Sequence, residues 1–301
     1  RGITLIESQH PDHTSLAQNL IQNCLPNCIP SFRIGITGVP GVGKSTFIEN
    51  FGQILLQNGK KVAVLAIDPS SSISKGSILG DKTRMETLVK ETHVFIRPSA
   101  SGDNLGGVAR KTRESIILCE AAGFDTILIE TVGVGQSETV VHSMVDFFLL
   151  LQIPGAGDQL QGIKRGIIEM ADLLVINKAD GDNIPKANRT KADLDNALHF
   201  YPEKSSGWIA STSLCSALEK KGIEDIWEIM LNFKRVTQQN GYWKIHRDEQ
   251  NKYWLLQTIE DRLKNDFYRK PGVKDQMIAM VKAMSENKIT PFEAANALLN
   301  Q

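Results

Sequence analysis

One stretch restricts the possible folds of this chain more than any other: Gly38-Val-Pro-Gly-Val-Gly43-Lys44-Ser45. It satisfies G-x-x-x-x-G-K-[ST] without a mismatch, and it lies between an apolar run, Arg33–Thr37, and an amphipathic stretch beginning at Thr46. A glycine-rich turn from strand to helix lets backbone N–H groups point inward around phosphate oxygens, and the positive end of the helix dipole adds to the attraction. Lys44 is expected to reach β- and γ-phosphates and Ser45 to offer its hydroxyl to Mg²⁺. The expected nucleotide contacts at this end are Gly38, Val39, Gly41, Val42, Gly43, Lys44, Ser45 and Thr46.

A strand–loop–helix unit of this kind needs a sheet around it, and the rest of the chain supplies one. Short apolar, β-branched runs read as strands at Arg33–Thr37, Val62–Asp68, Val94–Arg97, Thr126–Glu130, Phe147–Gln152, Leu173–Asn177 and Trp208–Thr212. Several are apolar on consecutive residues, as expected for strands covered on both faces. Between them, Thr46–Gln57, Leu105–Ala122, Leu160–Met170 and Lys186–Phe200 are long enough to be crossover helices. This alternation predicts an α/β fold with a doubly wound, mostly parallel sheet and ligands at the carboxyl ends of its strands. After about Gly222 only helix is expected, in Ile223–Gln239, Asn251–Tyr268 and shorter pieces from Val273 to Leu299. Leu255, Ile259, Leu263 and Phe267 share one face, which suits either packing on the core or a dimer arm. The expected division is a helical segment over 1–30, a nucleotide-binding domain over 31–240 and a helical C-terminal extension over 241–301.

Composition narrows the partners. The 34 basic and 34 acidic residues balance, so overall charge argues for neither nucleic acid nor an anionic membrane. No run of apolar residues is long enough to span a bilayer, and the first residues do not read as a secretory leader. Cys24, Cys28, Cys119 and Cys215 form no disulfide or zinc pattern and read as free thiols of a cytoplasmic protein.

Further acids and a second motif complete the site. Asp68 and Glu130 each end an apolar run, where a carboxylate beside the phosphate loop can hold Mg²⁺ directly or through its waters. Asp81, in Gly80-Asp81-Lys82-Thr83-Arg84, is a further candidate, with an N-cap as the alternative. Asn177-Lys178-Ala-Asp180 directly follows the run Leu173–Asn177. In N-K-x-D the carboxylate accepts hydrogen bonds from guanine N1–H and the exocyclic amine. Adenine would leave it buried and unpaired, at a cost of several kcal/mol and hence ~10³-fold in selectivity. Ser216-Ala217, after the last strand, is placed for a backbone contact to the guanine oxygen; a serine helix cap is the plainer reading.

With these residues in hand, the chain resembles the MeaB/ArgK family of P-loop GTPases, which includes the methylmalonic aciduria type A proteins. The likeness rests on Asp68-Pro-Ser-Ser, Gly76–Met85 (GSILGDKTRM), Leu105-Gly-Gly, Glu130–Glu138 (ETVGVGQSE), Gly157–Ile167 (GDQLQGIKRGI) and Asn177–Asp180. It runs from about Leu5 to the C-terminal helices. The resemblance implies a homodimeric, intrinsically slow GTPase that binds an adenosylcobalamin-dependent acyl-CoA mutase, chiefly methylmalonyl-CoA mutase. Such a protein gates cofactor loading and protects or reactivates the mutase. The resemblance also implies that Ser45, Asp68, Asp81 and Glu130 surround Mg²⁺ and that Lys44, Asp81 and Glu130 form the catalytic set. A mobile segment, Pro154–Arg165, relays the nucleotide state through Asp158, Gln161 and Lys164, with Gly155 and Gly157 easing its change of shape. The setting would be cytoplasmic, or the mitochondrial matrix in a eukaryote.

Some assignments stay open. Gln136, six residues past Glu130, is a candidate for orienting the attacking water, and Arg110 and Arg113 head a helix near the site. With no D-x-H-x-x-G pattern, the chain is not expected to bind cobalamin alone. The rivals are a nickel metallochaperone GTPase, against which the scattered histidines speak, and an ATP-dependent kinase linked to basic amino-acid transport, which Asp180 opposes.

Overall fold

The computed structural model describes residues 1–8, 10–67, 85–97, 105–131, 137–155 and 165–300. Within them the strands are β1 (Phe32–Gly38), β2 (Val62–Ile67), β3 (Val94–Arg97), β4 (Thr126–Thr131), β5 (Phe147–Gln152), β6 (Leu173–Ile176) and β7 (Ser211–Leu214). They form one sheet in the order β3-β2-β4-β1-β5-β6-β7, and every pairing is parallel. β1, β2, β4 and β5 are buried along their whole length, which is why their sequences are mostly apolar without a polar face.

The helices of this part are α1 (Gly2–Glu7), α2 (Pro11–Cys24), α3 (Lys44–Gln57), α4 (Leu105–Ala121), α5 (Ser137–His142), α6 (Arg165–Met170), α7 (Ile184–Leu198) and α8 (Ile223–Gln239). Helices α3 and α8 cover one face of the sheet, meeting Ile34, Ile36, Val64, Leu128, Leu149 and Val175. Aromatic rings fill that layer. Phe47 stacks on Phe51 at 5.4 Å, Phe51 meets Trp227 edge-on at 5.9 Å, and Phe147 meets Phe233 at 4.9 Å. On the opposite face a side chain at Gly35 would collide with Phe148 and Val141 at 2.9 Å, so α5 sits close against β1 there.

The last strand begins later than the sequence suggests. Trp208–Ala210 lie outside it, and pairing with β6 starts at Leu173↔Ser211. The Trp208 indole N–H donates to the Asp172 carbonyl at 3.0 Å and its ring meets Phe233 at 5.4 Å. That anchors Trp208 across the layer, not in the ladder, so its β propensity is spent on packing. Helix α6 likewise starts at Arg165, and residues 160–164 of the expected helix lie outside the described residues.

By contact, residues divide into Arg1–Gln250 and Asn251–Gln301. Helix α9 (Tyr242–Arg269) starts nine residues before the expected Asn251, and its opening turns belong to the first unit. There Arg247 pairs with Asp146, whose Oδ2 also accepts the Arg33 N–H at 2.8 Å, while Arg33 pairs with Glu120 at 2.7 Å. The second unit holds the rest of α9 with α10 (Val273–Ser285) and α11 (Pro291–Leu299). Thr290 and Glu293 close a reciprocal capping box at the start of α11. Among the described residues no helix is long and apolar enough to cross a membrane.

Candidate functional site: a phosphate loop tied to a base-reading loop

The loop between β1 and α3 is shaped by its glycines. Gly43 has φ of 96°, and a Cβ there would stand 2.7 Å from the Asn177 side-chain nitrogen. Gly38 has φ of 152°, and a Cβ there would meet the Leu151 carbonyl at 2.5 Å. Neither position tolerates a side chain, because the backbone conformation disfavours one and the Asn177 amide at Gly43 and the β5 carbonyl at Gly38 occupy the space. Val42 is fully buried and plugs the loop into the core, while Gly41 remains exposed. Helix α3 begins at Lys44, so its first N–H groups face the loop interior.

Lys44 is the centre of charge. Its ammonium donates to Gly38 O at 2.7 Å and Val39 O at 3.3 Å, folded back over the loop it belongs to. Burial pushes its pKa down, and the nearby carboxylates of Glu130 and Glu138 push it back up. Glu130, the next-to-last residue of β4, is in register with Ile36, two residues before the phosphate loop, and is 5% exposed. Beside it the hydroxyls of Thr37 and Thr131 share a hydrogen bond at 2.8 Å, joining the carboxyl ends of β1 and β4. Glu138, in the first turn of α5, is fully buried. The sequence had drawn it in only as the last letter of ETVGVGQSE; its coupling to Lys44 is a tertiary fact. Ser45 and Thr46 follow on α3, so the hydroxyl of Ser45 and the carboxylate of Glu130 bring hard oxygen donors of the kind Mg²⁺ takes to one end of the sheet. Asp68, Asp81, Gln136, Asp158, Gln161 and Lys164 lie outside the described residues.

The N-K-x-D motif is bonded directly to this loop. Asn177, 1% exposed, follows β6 and donates from Nδ2 to Val42 O at 2.9 Å. Its Oδ1 accepts the Ala217 N–H at 2.9 Å. Lys178 adopts a left-handed backbone (φ 58°) and its ammonium reaches Gly41 O at 2.7 Å, so the stem runs from the base loop to the phosphate loop. Asp180 accepts a hydrogen bond from the Ser216 hydroxyl, which in turn accepts the Glu219 N–H at 3.0 Å. Ser216 therefore sits beside Asp180, and the bond from the Glu219 N–H is the cap-type contact of the plainer reading. The Ala217 N–H, however, is directed at Asn177 in this structure. Cys215 is buried, which pushes its thiol up to about 12.

Helix α3 carries two more ties that the sequence did not single out. Glu49 Oε1 accepts the N–H groups of Thr87 and Leu88, each at 3.0 Å, and Asn50 Nδ2 donates to Ala217 O at 2.7 Å. A glutamate and an asparagine on an amphipathic helix carry no local signal, since their partners are 38 and 167 residues away. A separate polar pocket lined by His142, Asp172, Lys204, Tyr242 and His246 opens at the amino ends of β5 and β6. It is at the other end of the strands from the phosphate loop, and Lys204 there is held by Asp172 and by the carbonyls of Met170 and Ala171.

The chain that carries this arrangement has close relatives among known proteins. Residues 1–272 match the model of the family described as methylmalonyl Co-A mutase-associated GTPase MeaB. The chain belongs to the MeaB family. GTPase ArgK of Escherichia coli is 45% identical over 97% of this chain and 88% of its own length. The methylmalonic aciduria type A homolog of the mouse, a mitochondrial protein, is 44% identical over 99% of this chain and 74% of its own. A crystal structure titled LAO/AO transport system kinase superposes with a TM-score of 0.79 at 38% identity, covering 99% of this chain and 90% of that one. Membership makes this MeaB-family chain a P-loop protein of a GTPase family, and it accounts for the all-parallel sheet followed by helices.

Proposed function

We propose that this MeaB-family chain hydrolyses GTP to GDP and phosphate with Mg²⁺, and that it uses the cycle to serve an adenosylcobalamin-dependent acyl-CoA mutase. The observation that carries the nucleotide assignment is the Asp180 carboxylate. It is held by Ser216 and linked through Asn177 and Lys178 to the loop that carries Lys44. A carboxylate in that position is matched by guanine N1–H and the 2-amino group and mismatched by adenine. Lys44 and the amides of the phosphate loop would hold charge on the γ-phosphate during in-line attack by water. Ser45 and Glu130, together with Asp68 and Asp81, are the proposed Mg²⁺ donors.

The mutase assignment rests on the description of the matching family. Methylmalonyl-CoA mutase is the partner of choice, with cofactor loading and protection or reactivation as the service performed and Asp158, Gln161 and Lys164 as the relay. Cobalamin belongs to the mutase in this reading, and this chain binds none by itself. Hydrolysis of GTP, with ATP as control, is measured with and without purified methylmalonyl-CoA mutase. A slow GTP-only rate that rises about tenfold or more with the mutase is the expected result. Turnover of ATP would favour a kinase, and a GTP rate indifferent to the mutase would remove the partner.

A homodimer is also proposed, from the C-terminal unit. Leu255, Leu263, Ile278 and Phe292 are 61%, 66%, 70% and 82% exposed, and an apolar pocket lies between Leu263, Phe267, Tyr268, Met277, Leu298 and Leu299. Exposed apolar surface on this scale marks an interface. Sedimentation equilibrium should give twice the chain mass for the wild type and a shift toward monomer for Leu263→Glu. A wild type that sediments as a monomer at tens of micromolar would rule the dimer out.

A further inference from the structure

Asn50 lies on α3, one and a half turns beyond Lys44, and its side-chain amide spends both hydrogens on carbonyls. One goes to Thr46 O at 3.2 Å, within its own helix, and the other to Ala217 O at 2.7 Å in the base-reading turn. The first bond holds the side chain in place, so that the second is made from a fixed donor.

The Ala217 residue is consequently held on both sides: its N–H by Asn177 and its C=O by Asn50. Asn177 is in turn bonded to Val42 O in the phosphate loop. Val42 and Asn50 belong to one continuous loop and helix, so these bonds close a circuit from the phosphate loop to the base-reading turn and back to α3. The turn itself is stiff. Ser216 and Lys221 exchange backbone hydrogen bonds at 3.0 and 3.1 Å, and Gly222 approaches so closely that a Cβ would meet Leu214 O at 2.5 Å. A bond made at Ala217 therefore sets the position of Ser216, and Ser216 donates to Asp180.

We infer that Asn50 is a positioning residue for guanine recognition, holding the Ser216–Lys221 turn in register with Asp180 so that the base is read at a fixed distance from the phosphate loop. This deepens the proposed function and rests on its guanine reading. Asn50 touches neither base nor phosphate in this account; it acts through the turn.

The test uses the full chain with Mg²⁺ and compares GDP, ADP and pyrophosphate by calorimetry. Pyrophosphate occupies only the phosphate end, so it reports on α3 and the loop without the base. Asn50→Ala should weaken GDP about tenfold, the scale of one lost intramolecular hydrogen bond, and leave pyrophosphate affinity unchanged. Asn50→Asp, nearly isosteric but unable to donate to a carbonyl, should lose GDP affinity at least as much. In an Asp180→Asn background the Asn50→Ala loss should largely disappear, because the reader it positions is already gone. Equal weakening of GDP and pyrophosphate would assign Asn50 to the phosphate cradle and overturn the inference. Unchanged GDP affinity in both single variants would overturn it too. A wild type that binds ADP as tightly as GDP would instead sink the guanine reading itself, and this inference with it.

Discussion

Lys44→Ala should lower kcat for GTP by ~10³-fold or more while the chain remains folded. The expectation follows from how the lysine is held. Its ammonium already lies over Gly38 O and Val39 O, at the mouth of the phosphate loop, so a β,γ-phosphate entering that loop meets a preplaced positive charge. A charge that needs no reorganisation contributes most where charge develops in the reaction. Lys44→Arg should fail nearly as badly, because a planar fork cannot sit over the two loop carbonyls as a compact ammonium does. Burial lowers the pKa of the ammonium, and Glu130 and Glu138 offset that only in part. Removing the cation takes a positive charge from beside the buried carboxylates of Glu130 and Glu138, so Lys44→Ala should also lower the midpoint of urea unfolding. Single-turnover hydrolysis and circular dichroism on the same preparation separate the two effects. Wild-type turnover in the variant would remove Lys44 from the chemistry.

Asp180→Asn should change which base the protein accepts. GTP affinity should fall on the order of 10²- to 10³-fold, and xanthosine triphosphate should become the better ligand. Ser216 decides how clean the exchange is. Its hydroxyl donates to one oxygen of Asp180, and in the variant it still finds an acceptor in the asparagine Oδ1. The amide nitrogen is then left to face the base, where it repels the guanine donors and suits the 2-oxo group of xanthine. Competition of GTP, xanthosine triphosphate and ATP against a fluorescent guanine nucleotide measures both sides of the switch. Unchanged GTP affinity in the variant would sink the guanine assignment.

Much of the site was legible because its signals are local. Gly38–Ser45 and Asn177–Asp180 are short runs in which every residue has a backbone or charge reason to be where it is. The strand before each run is buried along its length and therefore mostly apolar. Where a tertiary contact competes with local preference, the reading slips. Trp208 has every mark of a strand residue, and it is drawn out of the ladder by an indole bond to Asp172 O and a ring contact with Phe233. Glu138, Glu49 and Asn50 were passed over for a related reason. Each is an ordinary polar residue until a distant segment is brought against it.

The amino-acid sequence by itself determined the strand–loop–helix unit around Gly38–Ser45 and the Asn177–Asp180 turn after its strand, because glycine conformation, apolar runs and the positions of charged side chains act over a few residues. Only the tertiary structure decided that Glu130 and Glu138 flank Lys44, that Asn177 and Lys178 are bonded to the phosphate loop, and that Asn50 holds Ala217. Those relations depend on the strand order β3-β2-β4-β1-β5-β6-β7, which brings the carboxyl ends of β1, β4 and β6 to one edge of the molecule. Between Asn177 and Val42 burial removes the competing water, and a bond between residues far apart in the chain then becomes strong enough to set the geometry.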